Sequence, residues 1–245
     1  MPPIPDRAFA LLLDLDGSLV EIAPAPDLIH VPASLIDHLA QLHHQLHGAI
    51  ACVSGRSYAD LSTWLGNAGI DLIGSHGAEV LQAAKPSPQW TQWARQCRQH
   101  LLARWAGVLV ETKPHGLAIH WRQCPEAEPE IRNWVARHQC LWPAHHCVEG
   151  KAVIEIRPDN CTKAHAVHRL MQQAPYAGRL PVYLGDDITD LDAFEAVRAL
   201  DGWAVAVGEK VAHAADHCLH NPASARAWLH GLLQSAQSVS PVGRD

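Results

Sequence analysis

The chain has 245 residues, of which 48% are apolar and 18% are charged, a globular composition that excludes extended disorder. Nineteen basic and 25 acidic side chains give a formal net charge of −6, which argues against a general nucleic-acid binder. The seven cysteines include no Cys-x-x-Cys pair, so neither a disulfide framework nor a zinc ribbon is expected. No apolar run approaches the ~20 residues needed to cross a bilayer. We therefore expect a cytoplasmic protein with no nucleic-acid or membrane partner.

Strands and helices alternate in the first third of the sequence. A continuous apolar run predicts a buried strand over 9–15. Pro32 opens a helix with leucines at three- and four-residue spacing, and Gly48 ends it. A strand, a helix and a strand follow at 49–53, 58–65 and 71–75. This alternation is typical of a parallel sheet covered by helices.

A different pattern begins near residue 86. Two helices are each followed by two strands, and the predicted ranges are helix 89–106, strands 108–113 and 117–122, helix 128–138, and strands 147–149 and 152–157. The earlier alternation then resumes with helix 162–171, strand 180–185, helix 191–200, strand 203–207 and helix 223–233. We therefore predict an α/β protein with a Rossmann-like parallel-sheet core, 1–85 and 157–245, and an inserted α+β domain, 86–156.

Two acidic clusters each follow an apolar strand. Asp14 and Asp16 are two residues apart, so they leave the first strand on the same side. Asp186, Asp187 and Asp190 follow a later strand. Ligands bind at the carboxyl ends of strands in open α/β sheets, and like charges gathered there need a counter-charge. The two clusters therefore predict a shared hard cation, for which Mg²⁺ is suited.

Groups suited to a phosphoryl ligand lie between the two clusters. Ser54, Gly55 and Arg56 follow a predicted strand, and Lys163 stands near a predicted helix start. A hydroxyl, exposed backbone amides and an ammonium group are what a phosphoryl group needs for recognition and charge neutralisation. These residues predict a phosphate site beside the cation.

Four of these pieces, in their order along the chain, resemble the phosphatase branch of the haloacid dehalogenase superfamily: DLDGS at 14–18, Ser54, Lys163 and GDDITD at 185–190. Further segments resemble the trehalose-6-phosphate phosphatase family: VSGRS at 53–57, GSHGAEV at 74–80, VETKPHGLAIHWR at 110–122, GKAVIEIRP at 150–158 and PVYLGDDITDLDAF at 181–194. The sequence departs from the family pattern at Ser18, Ala164 and Leu191, where threonine, glycine and glutamate are commoner.

The resemblance implies a Mg²⁺-dependent phosphatase that hydrolyses trehalose 6-phosphate through an aspartyl-phosphate. Asp14 would be the nucleophile, and Asp16 would be the general acid and then the general base. Ser54 and Lys163 would hold the phosphoryl oxygens. The groups implied for the metal are the Asp14 carboxylate, the Asp16 backbone carbonyl, Asp186 and, in the outer shell, Asp190 and Asp187.

The resemblance also makes the inserted domain a cap that recognises the sugar. Its candidate sugar-binding residues lie on or beside predicted strands, and they are Lys113, His120, Arg122, Glu149, Lys151 and Glu155. Period-two spacing predicts that His120 shares a face with Arg122, and Glu149 with Lys151. The candidates in the core are Gly55, Arg56, His76 and Glu79. The alternative is that the cap residues form only the solvated face of a small sheet.

Other functions stay open on the sequence. A sucrose-phosphate phosphatase, a broad sugar-phosphate phosphatase or a phosphomannomutase would keep the aspartate pair and differ in the cap. A haloalkanoate dehalogenase has no use for the acid at Asp16, and a non-catalytic sugar-phosphate sensor need not keep it. No coiled-coil seam is visible, and we expect a monomer that binds a small-molecule sugar phosphate.

Overall fold

The structure is a computed structural model that describes residues 1–24, 26–80, 87–113, 115–150, 152–159 and 161–237. The chain divides into two compact units, Met1–Gln82 with Thr162–Asp245, and Ala83–Cys161. We call the first the core unit and the second the inserted unit. The functional division into a catalytic domain, 1–85 and 157–245, and a specificity cap, 86–156, stays a prediction.

The secondary structure of the described residues is as follows. The strands are β1 (Phe9–Leu13), β2 (Ile50–Val53), β3 (Asp71–Gly74), β4 (Glu79–Val80), β5 (Leu109–Lys113), β6 (Gly116–His120), β7 (His145–Gly150), β8 (Val153–Pro158), β9 (Leu180–Gly185), β10 (Trp203–Val207) and β11 (His217–Leu219). The helices are α1 (Ala33–Gln45), α2 (Tyr58–Leu65), α3 (Pro88–Leu101), α4 (Glu128–His138), α5 (Lys163–Met171), α6 (Leu191–Arg198) and α7 (Pro222–Gln237).

The core unit is built on a sheet that, over the described residues, has seven strands in the order β11-β10-β9-β1-β2-β3-β4. All neighbours are parallel except β3 and β4, which are antiparallel. The central strands β1, β2 and β9 are buried almost throughout, as continuous apolar runs between two helical layers should be. The predicted α/β class with a parallel sheet is confirmed. The short edge strands β4 and β11 were not predicted, because two or three residues carry too little periodicity.

Local capping explains where two helices of the core unit begin. Ser57 precedes α2, and its side chain accepts a hydrogen bond from the Asp60 amide. Thr162 precedes α5 and accepts one from the His165 amide, as predicted for this residue. The cap at Thr162 makes Lys163 the first residue of α5. No helix among the described residues has the length and apolarity needed to span a membrane.

The inserted unit contains an antiparallel sheet in the order β5-β6-β8-β7, together with helices α3 and α4. The register aligns Val110 with Ile119 and Ile119 with Ile154, and these buried residues form one core with the two helices. The predicted end of the first helix was wrong. Helix α3 ends at Leu101, and Trp105 lies beyond it with its indole N–H donating to Glu130 Oε2 at 2.8 Å.

Candidate active site at the carboxyl edge of the parallel sheet

The predicted catalytic residues come together because neighbouring parallel strands end at the same edge of the sheet. Asp14 follows β1, Ser54 follows β2 and Asp186 follows β9, and these three strands are adjacent in the order β9-β1-β2. The Asp14 amide donates to the carbonyl of Leu184 at 2.8 Å, so the strand ladder continues up to Asp14. This edge is where ligands bind in open α/β sheets.

A tight turn after β1 lets the two acidic clusters approach each other. Gly17 has a φ of +80°, and a Cβ atom there would lie 2.1 Å from Asp186 Oδ2. Only glycine fits this position, both for its backbone conformation and for space. The next residue, Ser18, places its hydroxyl 3.1 Å from Asp14 Oδ2 and 3.3 Å from Asp186 Oδ1. The hydroxyl of Ser18 thus lies between the two carboxylates.

Lys163 joins two buried carboxylates. Its Nζ donates to Asp14 Oδ1 at 2.7 Å and to Asp190 Oδ1 at 2.5 Å. All three residues are buried, with relative exposures of 3% for Lys163, 4% for Asp14 and 0% for Asp190. In such surroundings charge-assisted hydrogen bonds are strong, and removing one partner is costly. Because two of them are predicted catalytic residues, we call Asp14, Lys163 and Asp190 the catalytic cluster.

The Asp190 carboxylate is fully engaged by hydrogen bonds. Its Oδ2 accepts from the amides of Asp186 and Asp187 at 3.0 Å each. Its Oδ1 accepts from Lys163 and from the hydroxyl of Tyr183 at 2.8 Å. Asp190 therefore holds Lys163 and the turn after β9, which is consistent with the outer-shell role expected from the sequence.

The carboxyl groups of the site outnumber its positively charged groups. Burial raises the pKa of Asp14 well above its usual range; Lys163 opposes this shift, while Asp190 and Asp186 add to it. Burial, followed by the charge of Asp190, raises the pKa of Asp186 to about 6. Burial alone would lower the pKa of Lys163, but the charges of Asp14 and Asp190 raise it. One ammonium group thus faces three carboxyl groups, and an additional cation would relieve their repulsion.

The donor atoms fit a hard divalent cation. Asp14, Asp186 and Asp190 each offer one oxygen, and these oxygens all lie within 4.8 Å of one another. Carboxylate oxygens suit such a cation. Because both Asp190 oxygens are occupied by hydrogen bonds, Asp14 and Asp186 are the carboxylates that best fit direct coordination.

Asp187 does not join the carboxylates of this cluster. Its Oδ1 accepts from the Ile188 amide at 2.6 Å and pairs with the exposed Lys210. Burial would raise the pKa of Asp187, but the hydrogen bonds from Lys210 and the Ile188 amide, together with the charges of Lys210 and Lys163, lower it. The side chain therefore starts the short helical turn after β9 instead of facing Asp14. Adjacent aspartates after a strand point in different directions, and the sequence does not show which of the two faces Asp14.

Asp16 forms an ion pair that sequence reasoning missed. Arg56 Nε and a terminal guanidinium nitrogen lie 2.6 and 2.7 Å from the two Asp16 oxygens, which is a bidentate arrangement. The Asp16 side chain is 33% exposed, whereas Asp14 is almost fully buried. Arg56 was predicted as a ligand of the substrate and not as a partner of Asp16. The signal that could have shown this pair is that the two residues follow β1 and β2, which are neighbouring strands.

The loop after β3 lies beside the phosphate-site candidates of β2. Ser54 is 2% exposed, and its hydroxyl accepts from the Arg56 amide at 3.2 Å. A Cβ atom at Gly55 would come within 2.5 Å of His76 Nε2. The imidazole of His76 therefore covers Gly55, and glycine is needed there for this close approach.

Glu79, predicted to reach a sugar, is instead 3% exposed. Its Oε2 accepts from the Ser75 hydroxyl at 2.7 Å and from the Tyr58 amide at 2.9 Å. The carboxylate thus ties the loop after β3 to the start of α2. Its prediction as a sugar ligand is corrected to a loop-holding role, because these bonds and its burial direct it inward.

In the inserted unit, several candidates share the sheet face opposite the helices. Glu111 Oε1 pairs with Lys113 Nζ at 2.6 Å, and its Oε2 lies 3.3 Å from His120 Nε2. Glu155 aligns with Ala118, which aligns with Glu111, so Glu155 lies on this face too. We call Glu111, Lys113, His120 and Glu155 the polar sheet face. Glu111 was not predicted, although its period-two spacing with Lys113 was visible.

The predicted shared face of His120 and Arg122 loses its basis in the structure, whereas the shared face of Glu149 and Lys151 stays a prediction. Strand β6 ends at His120, so Arg122 lies in the following turn and no longer obeys the strand alternation. Glu149 aligns with Ile154, which puts it on the helix side, where it pairs with Arg132 at 2.5 Å. Lys151 lies outside the described residues.

Solved structures share this architecture. The C-terminal domain of trehalose-6-phosphate phosphatase from C. albicans superposes with a TM-score of 0.74, at 23% identity over 93% of each chain. A phosphatase of the haloalkanoate superfamily from Bacteroides thetaiotaomicron gives 0.61, at 16% identity over 97% of each chain. These likenesses define the fold as that of the haloacid dehalogenase class, with an inserted α+β unit.

Sequence comparison gives the family. Residues 12–226 match the family described as trehalose-phosphatase. Trehalose-6-phosphate phosphatase of Escherichia coli is 34% identical over 243 residues, covering 97% of this chain and 91% of that protein. A probable trehalose-phosphate phosphatase of Sinorhizobium fredii is 35% identical over 239 residues, covering 92% and 86%. The chain therefore belongs to the trehalose-phosphatase family, and so to the phosphoric monoester hydrolases.

Proposed function

We propose that this protein hydrolyses trehalose 6-phosphate to trehalose and phosphate, in a reaction that depends on Mg²⁺. The observation that carries the proposal is the catalytic cluster: Asp14, buried at the end of β1, is held by Lys163 and faces Asp186. Its place in a trehalose-phosphatase chain supports the choice of substrate.

Asp14 is the proposed nucleophile. One of its carboxylate oxygens attacks phosphorus, the bond from phosphorus to the sugar oxygen breaks, and an aspartyl-phosphate forms. Hydrolysis of this acyl phosphate then releases phosphate and restores the carboxylate. Lys163 supports both steps because its ammonium group lies 2.7 Å from Asp14 Oδ1 and offsets negative charge there. Phosphoryl transfer depends mainly on such positioning and electrostatics.

Asp16 is the proposed general acid and base. It protonates the departing sugar oxygen and later accepts a proton from the hydrolytic water. Its partial exposure suits contact with a leaving group. Both of its oxygens accept from Arg56, so one of these bonds has to be exchanged for a bond to the sugar oxygen when Asp16 carries the proton. Ser54 is the proposed hydroxyl partner of the phosphoryl oxygens.

Mg²⁺ is the proposed metal, held by the Asp14 and Asp186 carboxylates and the Asp16 backbone carbonyl. When bound, it supplies charge neutralisation and polarisation of the phosphoryl group. Asp190 serves this site indirectly, because its hydrogen bonds hold Lys163 and the turn that carries Asp186.

The polar sheet face is the proposed sugar-recognition surface. Carboxylate, ammonium and imidazole groups can exchange their mutual bonds for bonds to sugar hydroxyls. Arg122 and Lys151 remain proposed ligands of the sugar, and His76 remains one on the core unit. A monomeric state and a cytoplasmic location are retained as part of the proposal.

A panel of sugar phosphates tests the proposal. With Mg²⁺ present, kcat/KM for trehalose 6-phosphate should exceed that for glucose 6-phosphate, sucrose 6-phosphate and mannose phosphates by at least about tenfold. Equal rates on glucose 6-phosphate would reject the specificity and indicate a broad sugar phosphatase. Binding of trehalose 6-phosphate without release of phosphate would indicate a sensor. Activity that survives a chelator would reject the metal assignment.

A further inference from the structure

A buried tyrosine hydroxyl is connected to the proposed nucleophile by consecutive hydrogen bonds. Tyr183 Oη donates to Asp190 Oδ1 at 2.8 Å, Lys163 Nζ donates to the same oxygen at 2.5 Å, and also to Asp14 Oδ1 at 2.7 Å. Tyr183 is fully buried in β9, between β1 and β10. The reaction steps proposed above make no use of this hydroxyl.

We propose that Tyr183 is a positioning residue that keeps Lys163 shared between Asp190 and the nucleophile Asp14. This inference rests on the proposed function of the catalytic cluster. The Tyr183 hydroxyl occupies part of the acceptor capacity of Asp190 Oδ1, which has to serve two donors. Without it, Asp190 would attract the ammonium group more strongly, and Lys163 would be less available to Asp14.

The surroundings of Tyr183 favour a role for the hydroxyl beyond filling space. Its ring packs edge-on against Phe194, with the centroids 6.0 Å apart, so a phenylalanine could supply the same packing. Burial raises the pKa of the hydroxyl well above its usual range, and the charge of Asp190 adds to this. The group therefore stays protonated and acts as a donor to a buried carboxylate, where hydrogen bonds are strongest.

The chain offers a matched control in Tyr176. It is also fully buried, and its hydroxyl also donates to a carboxylate, Asp71 Oδ2, at 2.7 Å, as well as to the Ile50 carbonyl at 3.0 Å. Ile50 and Asp71 are the first residues of β2 and β3, so this tyrosine serves the amino edge of the sheet, opposite the catalytic cluster. Replacing either tyrosine by phenylalanine removes one buried hydroxyl bound to an aspartate.

The test compares Tyr183→Phe with Tyr176→Phe, on whichever phosphate monoester the unaltered protein hydrolyses fastest, p-nitrophenyl phosphate included. We expect Tyr183→Phe to lower kcat about tenfold, as befits loss of a hydrogen bond to a charged group, with KM within about twofold. Tyr176→Phe should leave kcat unchanged although it destabilises the fold. An unchanged kcat in Tyr183→Phe, or an equal loss in Tyr176→Phe, would overturn the inference.

A second comparison asks whether the effect passes through Asp190. In an Asp190→Asn background, Tyr183→Phe should change kcat by less than about twofold, because coupled residues are not additive. A tenfold loss in that background would contradict the inference. If Asp190→Asn does not fold, Asp190→Ser replaces it as the background, with the same expectation for Tyr183→Phe and the same outcome contradicting the inference.

This design separates failure of the inference from failure of the proposed function. The substrate panel on the unaltered protein tests the choice of trehalose 6-phosphate. The ratio between the two tyrosine variants tests Tyr183 on any substrate that is turned over.

Discussion

The catalytic cluster and the polar sheet face are both built from opposite charges in contact, yet they differ in burial. Asp14, Lys163 and Asp190 are 4%, 3% and 0% exposed. On the polar sheet face, the side chains of Glu111, Lys113 and His120 are 37%, 13% and 32% exposed.

The difference in burial separates two tasks. Buried charges fixed by several hydrogen bonds are pre-organised, so they can stabilise a reaction without rearranging. Half-exposed pairs are worth little in themselves and can be exchanged for bonds to a ligand. We therefore expect substitutions in the core unit to lower kcat, and those on the polar sheet face to raise KM.

The largest effect should come from Asp14→Asn. The amide cannot form the acyl phosphate, and we expect kcat to fall by more than about 10⁴-fold while the fold is retained. Phosphate release and circular dichroism together check this. Near-native turnover in this variant would show that Asp14 is not the nucleophile.

Asp16→Asn should cost less than Asp14→Asn, because the nucleophile remains. General acid and base assistance is worth about 10²–10⁴-fold, and we expect a loss of this size in kcat on trehalose 6-phosphate. The loss should be smaller on p-nitrophenyl phosphate, whose leaving group needs little protonation. Equal losses on both substrates would contradict a role for Asp16 as the acid.

The fold of the core unit and the meeting of its candidate site residues could be predicted, because strand position determines where these residues lie. Asp14, Ser54 and Asp186 follow apolar runs, and the ends of parallel strands meet at one edge. The partners of these groups could not be predicted in the same way. The pairing of Arg56 with Asp16 joins two different strand ends, and the pairing of Tyr183 with Asp190 depends on the turn after β9; both depend on rotamers that the residue spacing does not give.

The inserted unit shows the limit of period-two reasoning. The spacing of Glu149 indicates that it alternates along its strand, but the face it takes depends on register with the partner strand. The observed register aligns Glu149 with Ile154 and so with the helix side. Arg122 shows the same limit at a strand end, because β6 stops two residues earlier and the alternation stops with it.

Glu111→Gln tests the polar sheet face. Burial would raise the pKa of Glu111, but His120 and Lys113 lower it, so the group is ionised and its charge orders both neighbours. We expect KM for trehalose 6-phosphate to rise about tenfold, with kcat within about twofold. Glu149→Gln is the matched control on the other face of the same sheet and should leave both constants unchanged. A rise in KM for Glu149→Gln alone would assign sugar recognition to the helix side of the sheet instead.

The smallest expected effect is on stability. It distinguishes Asp186, which lies among other carboxyl groups, from Asp187, which pairs with Lys210. Asp186 has its pKa raised to about 6 in the folded protein, above its value in the unfolded chain. In metal-free protein, its contribution to stability is therefore full below about pH 4 and is lost as the pH rises through 6. At pH 7, Asp186→Asn should stabilise the metal-free protein against urea by about 1–2 kcal/mol, allowing for screening by solvent.

Asp187→Asn is the control for this measurement and should act in the opposite direction. The pKa of Asp187 is lowered, because the hydrogen bonds from Lys210 and the Ile188 amide and the nearby lysine charges together outweigh burial, so its stabilising contribution is present at pH 7 and is lost in acid. Asp187→Asn should therefore destabilise the protein slightly at pH 7. Mg²⁺ should stabilise the unaltered protein and Asp187→Asn, but have a much smaller effect on Asp186→Asn, since ligand binding to the folded state alone adds to stability. If Mg²⁺ stabilised all three equally, Asp186 would not belong to the metal site.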